Sequence, residues 1–185
     1  MILTERSHAE AATIWREAII PQRSMAFYNY TSLGPFIVIA AALMLTSIRG
    51  TGLAIISICC GLICFVGFCR LAYETTLEIA GFKEYLLPIW SVFYLIFYEI
   101  AVFAFLFFGM HTAAPGHFFG KFSQDTELAF LDSYYLSLCN YIVHYPNVKY
   151  TFKTYGTNML MGIQSLLSSI LTLLLVTEFI SAFHQ

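Results

Sequence analysis

The chain has 185 residues, of which 59% are hydrophobic and only 11% charged, against a charged share of about 25% in ordinary soluble domains. With a mean hydropathy of +0.74 and a formal net charge of -2, the composition excludes a typical soluble domain and gives no electrostatic reason to expect nucleic acid as a partner. The expectation is an all-α, multi-pass integral membrane protein in contact with membrane lipids.

Taken in order, residues 1–24 read as an N-terminal amphipathic helix without a cleavable signal. Ser7 and Glu10 fit the capping box that starts a helix, and Pro21 ends it. Ala11, Ile14, Trp15, Ala18 and Ile19 recur at helical spacing, so this helix either lies along the membrane surface or docks on the protein's own cytosolic face. Residues 25–85 read as a two-helix transmembrane hairpin and a connector. The first span is expected over about 27–48, with Tyr28 and Tyr30 as interface anchors. The run Arg49-Gly50-Thr51-Gly52 makes a tight reversal, because glycine accepts positive φ without penalty. The second span covers 53–69 and ends at Arg70, and Gly61 and Gly67 allow close helix contact. Residues 71–85, with Glu74, Glu78, Lys83 and Glu84, have helical composition and read as an interfacial connector interrupted at Gly81.

The chain has five cysteines, four of them in or at the end of the second span. Cys60 and Cys64 share a helical face, but no His or carboxylate within the span completes a metal site, so they read as small buried hydrophobes. Cys69 beside Arg70 fits a weak S-palmitoylation pattern.

Residues 86–185 hold the third span, a loop, a short apolar helix, a polar turn and the last span. The third span, 86–110, carries Glu99 near its middle, where an ionisable side chain is costly unless paired, protonated or facing water. This intramembrane acid is either a functional group or is neutralised by a hydrogen bond to a neighbouring helix. His111 and His117, in the loop 111–124, read as surface histidines. The helix expected over 127–142 spans only about 24 Å at 1.5 Å per residue, too short to cross a hydrocarbon core of about 30 Å. It is expected to dip in and return through Val143, His144, Tyr145, Pro146 and Asn147, a constriction whose polar backbone persists at membrane depth only beside protein or water. On the last span, about 157–180, Gln164, Ser165, Ser168 and Ser169 form a polar stripe. Ser165, Ser168 and Ser169 share one face, which either lines a pore or holds helices together. Four spans put both termini on one side. Lys and Arg are slightly more numerous there, which favours cytoplasmic termini.

Span, loop, half-helix, turn and span, in that order, resemble the two-helix pore domain of tetrameric potassium channels, over about the last hundred residues. The run 130–138, F-L-D-S-Y-Y-L-S-L, is similar to the pore-helix pattern of that family, and Tyr155-Gly156 before Met159-Leu160-Met161 matches the glycine that opens its inner helix. The filter departs from the pattern. Val143-His144-Tyr145-Pro146-Asn147 stands where the family has Thr-Val-Gly-Tyr-Gly, both glycines are absent, and Pro146 fixes φ near -65°. The resemblance therefore implies four transmembrane helices with a re-entrant pore-helix loop between the third and fourth, and a homo-oligomer, a tetramer in the family. It implies ion passage of atypical, non-potassium-type selectivity set by side chains of the turn. The alternative is a non-conducting structural or accessory subunit that assembles with partner membrane subunits. A membrane enzyme using Glu99, His111, His117 or His144 is disfavoured, since no nucleophile–base pair, ligand cluster or glycine-rich phosphate loop occurs. No enzymatic activity, cofactor or metal is expected.

Overall fold

A computed structural model describes residues 33–43, 48–80, 89–143 and 150–183. The expected N-terminal helix with Ser7 and Glu10, the anchors Tyr28 and Tyr30, the break at Gly81 with Lys83 and Glu84, and the turn residues His144, Tyr145, Pro146 and Asn147 lie outside the described residues.

Five helices make up almost all of the described chain. Helix α1 (Leu33–Leu43) carries Pro35 in its first turn, where a missing N–H costs no intrahelical hydrogen bond. Its Phe36 ring meets Phe105 at 4.9 Å, Phe97 at 5.8 Å, Tyr134 at 6.0 Å and Phe130 at 6.1 Å between ring centroids. Gly50 takes a φ of 60° at the reversal that follows, a value that disfavours any residue with a Cβ.

Helix α2 (Thr51–Ala80) runs antiparallel to α3 (Ile89–Ala113). Gly109 lies so close to α2 that a Cβ there would stand 2.8 Å from Ile58 Cγ1 and 3.3 Å from Ala54 O. A Cβ on Gly61 would meet Phe105 Cβ at 3.3 Å and Val102 O at 3.5 Å. Ser57 Oγ–H donates across this seam to Phe105 O at 2.8 Å. Small residues thus let the two backbones approach, the packing mode that suits an apolar solvent. Two stretches, Thr51–Tyr73 in α2 and Phe93–Ala113 in α3, are long and apolar enough to cross a membrane.

Helix α2 passes the expected end of the span at Arg70 without a break and runs to Ala80, through most of the connector of helical composition. A single arginine sets a boundary in hydropathy and not in backbone geometry, and Leu71 to Ala80 contains no glycine or proline to break the helix. Helix α3 likewise continues through His111 to Ala113.

Helix α3 is the centre of the bundle, in contact with α2, α4 and α5, and every residue from 98 to 105 is buried. Helix α4 (Thr126–Val143) is capped by Asp125, whose Oδ1 accepts the N–H of Glu127 at 3.0 Å, satisfying one of the free donors of its first turn. It runs antiparallel to α3, with Phe130 against Phe108 at 5.3 Å between centroids and Ser137 against Ile100 further along. Strand β1 (Phe119–Gly120), before α4, pairs antiparallel with β2 (Thr151–Phe152), after it. Lys153 Nζ reaches Gly116 O at 2.7 Å. Helix α5 (Tyr155–Phe183) starts at this same end, capped by Thr154, whose Oγ1 accepts the N–H of Thr157 at 3.3 Å. Helices α4 and α5 therefore begin together at the C-terminal end of α3 and run the same way, with Tyr150 back beside Asp132 in the second turn of α4.

Candidate functional site

Two polar clusters lie in this otherwise apolar bundle. The inner one joins α3, α4 and α5. Spacings of four and three residues put Ser133, Ser137 and Asn140 on one face of α4, and all three are fully buried. On α5 the matching face carries Thr157, Gln164 and Ser168, also fully buried.

Gln164 Nε2 donates to Ser137 O at 3.0 Å and to Ser137 Oγ at 2.8 Å, while Ser137 Oγ–H donates to Ile100 O at 2.9 Å. Asn140 Nδ2 donates to Gln164 Oε1 at 3.0 Å and to Met161 O at 3.1 Å. Half-buried Ser165 closes the pattern, its Oγ–H donating to Asn140 Oδ1 at 3.0 Å. Every polar atom of the two amide side chains is engaged, each NH₂ serving two acceptors with its two N–H groups. A buried amide without such partners would carry its full desolvation penalty.

Glu99 lies at the deep end of this cluster and is 1% exposed. Its Oε1 stands 2.6 Å from Ser168 Oγ, which is also 2.9 Å from Gln164 O. Glu99 Oε2 has no hydrogen-bond partner. Tyr141 of α4 lies within electrostatic reach of Glu99.

The outer cluster sits under the β1–β2 pair. Asp132 Oδ2 accepts the Ser123 N–H at 3.0 Å, and its Oδ1 accepts the Tyr150 hydroxyl at 2.8 Å. His111 Nε2–H donates to Ser123 O at 3.1 Å, with its ring 5.1 Å from that of Phe122. Phe122 stacks on Phe119 at 4.7 Å and meets Tyr150 edge-on at 5.0 Å. His111 is thus not a surface histidine but 4% exposed, because the aromatic residues of the following loop fold back over the end of α3. His117 is exposed.

Of the residues singled out in the sequence, Glu99, Gln164, Ser165 and Ser168 come together in the inner cluster, and Val143 ends α4. Gln164 and Ser168 are turned toward α3 and α4 of their own chain. Their hydrogen bonds are those of helix adhesion, and the outward face of α5 is occupied instead by Met159, Ile163, Leu166, Ile170, Leu173 and Val176. Cys60 and Cys64 are buried, and no group of three or more His, Cys, Asp or Glu side chains suited to a metal occurs among the described residues.

Sequence reasoning missed Asn140, the hub of the inner cluster. Its signal was present as the polar series Ser133, Ser137, Asn140 in an apolar helix, complementary to the stripe on α5. Comparison with family models, with curated proteins and with solved structures finds no match to this chain.

Proposed function

We propose that this chain is a channel-like, oligomeric membrane protein in which α4 and the turn after it form a re-entrant loop, with ion passage of non-potassium-type selectivity through that turn. The observation that carries this reading is the 2.8 Å hydrogen bond from Tyr150 to Asp132, which returns the chain to the second turn of α4 within seven residues of its end. A helix of 18 residues is about 27 Å long. If α2 and α3 cross a bilayer, α4 enters from one surface, stops inside, and hands the chain back to that surface.

On this reading the turn 143–147 lies at depth, where its polar backbone requires protein or water around it. An assembly of several copies, four by analogy with the pore-loop architecture, supplies that surrounding. His144, Tyr145 and Asn147 then offer side chains to the axis, and rings of side chains set selectivity as well as backbone carbonyls do. Both termini lie on the far side, taken as cytoplasmic.

A second reading, a non-conducting subunit of a larger membrane complex, is favoured by one observation. The polar face of α5 is consumed by hydrogen bonds within the chain, which leaves an apolar outward face suited to lipid or to another subunit. Purified protein reconstituted alone in liposomes separates the two. A symmetric homo-oligomer that passes ions supports the channel reading. A stable protein that passes none, or a monomer, sinks it and leaves the accessory role.

A further inference from the structure

We propose that Glu99 holds a single positive charge, a proton or an alkali-metal ion, at its Oε2 atom in the seam between α3, α4 and α5. This inference goes beyond ion passage and does not depend on it.

Around Ser168 there are three acceptor atoms, Glu99 Oε1, Glu99 Oε2 and Gln164 O, and one hydroxyl proton to serve them. Oε2 is left with none. A carboxyl group that is 1% exposed cannot draw on bulk water, and an uncompensated carboxylate in such a place is among the costliest groups to bury.

The three helices that meet at this seam hold no compensating cation. Helices α3, α4 and α5 contain no Lys or Arg over their whole length. His111 is twelve residues along α3, about 18 Å at 1.5 Å per residue, and is engaged with Ser123. Helices α3, α4 and α5 therefore offer Glu99 no cation of their own.

Ser168 of α5 brings a hydroxyl oxygen to within 2.6 Å of the carboxyl group, and Tyr141 of α4 lies within electrostatic reach of it. Oxygen donors with one carboxylate suit a hard cation of unit charge and give nothing to a thiophilic metal. Titratable and charged groups on the packed elements include Tyr98 and His111 on α3, Cys139 and Tyr141 on α4 with Asp132 and Glu127 toward its other end, Glu178 on α5, and Cys60, Cys64 and the exposed Arg70 on α2.

The test uses the full chain, purified and placed in neutral phosphatidylcholine nanodiscs. Its thermal midpoint is followed in sodium, potassium and choline chloride at equal ionic strength, each from mildly acidic to mildly basic pH. Stabilisation by sodium or potassium over choline identifies an alkali ion; stabilisation by acid in choline identifies a proton. In either case Glu99→Gln, whose amide brings its own donors, abolishes the dependence. Ser168→Ala, which removes the partner that orients the carboxyl, moves the half-effect concentration or acidity by roughly tenfold. A wild-type midpoint indifferent to all these cations, or a dependence that Glu99→Gln retains, overturns the proposal. Should Glu99→Gln fail to fold, half-effects unchanged in both Ser168→Ala and Tyr141→Phe overturn it.

Discussion

Tyr150 and Asp132 are 18 residues apart in the chain, yet the phenol hydroxyl of one donates to the carboxylate of the other at 2.8 Å, so the strand leaving the turn is pinned to the helix that entered it. Asp132 also accepts the Ser123 N–H, which makes this one carboxylate the tie between the loop before α4 and the segment after it. Removing the hydroxyl in Tyr150→Phe is expected to destabilise the protein by about 1–2 kcal/mol, as for a part-buried hydrogen bond to a charged acceptor. Asp132→Asn should cost less than Asp132→Ala, because an amide keeps one oxygen for the Ser123 N–H and turns an N–H toward the phenol oxygen. Thermal unfolding of the purified variants measures both, and equal losses for Asn and Ala would remove the tie from the argument.

The α2–α3 seam depends on the absence of a side chain at Gly109. An added methyl would lie 2.8 Å from Ile58 Cγ1, an atom held near the backbone and unable to swing away. Gly109→Ala is expected to cost about 1–3 kcal/mol from overpacking, offset in part by up to about 1 kcal/mol from better helix propensity. Ile58→Ala removes the opposing atom, so the double variant should recover most of the loss. A double-mutant cycle reads the coupling directly. Additive effects would show that the helices separate at another point to admit the methyl.

The parts of this fold written in local sequence are legible without coordinates. Helix α4 is expected over 127–142 and occupies Thr126–Val143, because a polar, turn-forming stretch precedes it and its apolar pattern has helical period. The reversal at Gly50 is legible for the same reason, since it depends on a single backbone preference. The helical composition of Leu71 to Ala80 is legible as well, but whether it joins the preceding span is not, because charge marks where a chain leaves an apolar solvent and says little about where a helix stops. Burial of His111 depends on Phe119 and Phe122 folding back over it, a contact between segments that no local pattern encodes. The stripe on α5 shows the limit most clearly. Its spacing identifies a shared face, but only the facing residues Ser137 and Asn140 decide what that face meets.

That face gives the next prediction. Gln164→Ala strands a donor of Asn140 and an acceptor of Ser137 in a dry seam, and is expected to cost about 0.5–2 kcal/mol, the range of buried hydrogen bonds in apolar surroundings. Asn140→Ala should cost a similar amount. The two losses are expected to fall short of additivity by about 0.5–1 kcal/mol, because the Asn140–Gln164 contact is counted in both. Chemical or thermal unfolding of the two single variants and the double variant provides the cycle. Strict additivity, or a Gln164→Ala variant as stable as the parent, would mean that water or another subunit reaches this face.

The re-entrant geometry itself is open to a test by labelling. Gln124, just before α4, and Tyr155, at the start of α5, are both exposed, and Tyr155 is 87% exposed. They flank α4 and the turn and lie at the same end of α3, whereas Tyr73, 65% exposed, lies some 22 residues along α2 from its start, about 33 Å at 1.5 Å per residue. In single replacements to cysteine on a Cys69→Ala background, a membrane-impermeant thiol reagent should label positions 124 and 155 from one side of a sealed membrane and position 73 only from the other. Native thiols inside the spans react little, since thiolate formation requires access to water. Labelling of positions 124 and 155 from opposite sides would mean that α4 crosses the bilayer, and the return marked by Tyr150 and Asp132 would then lose its place in any pore.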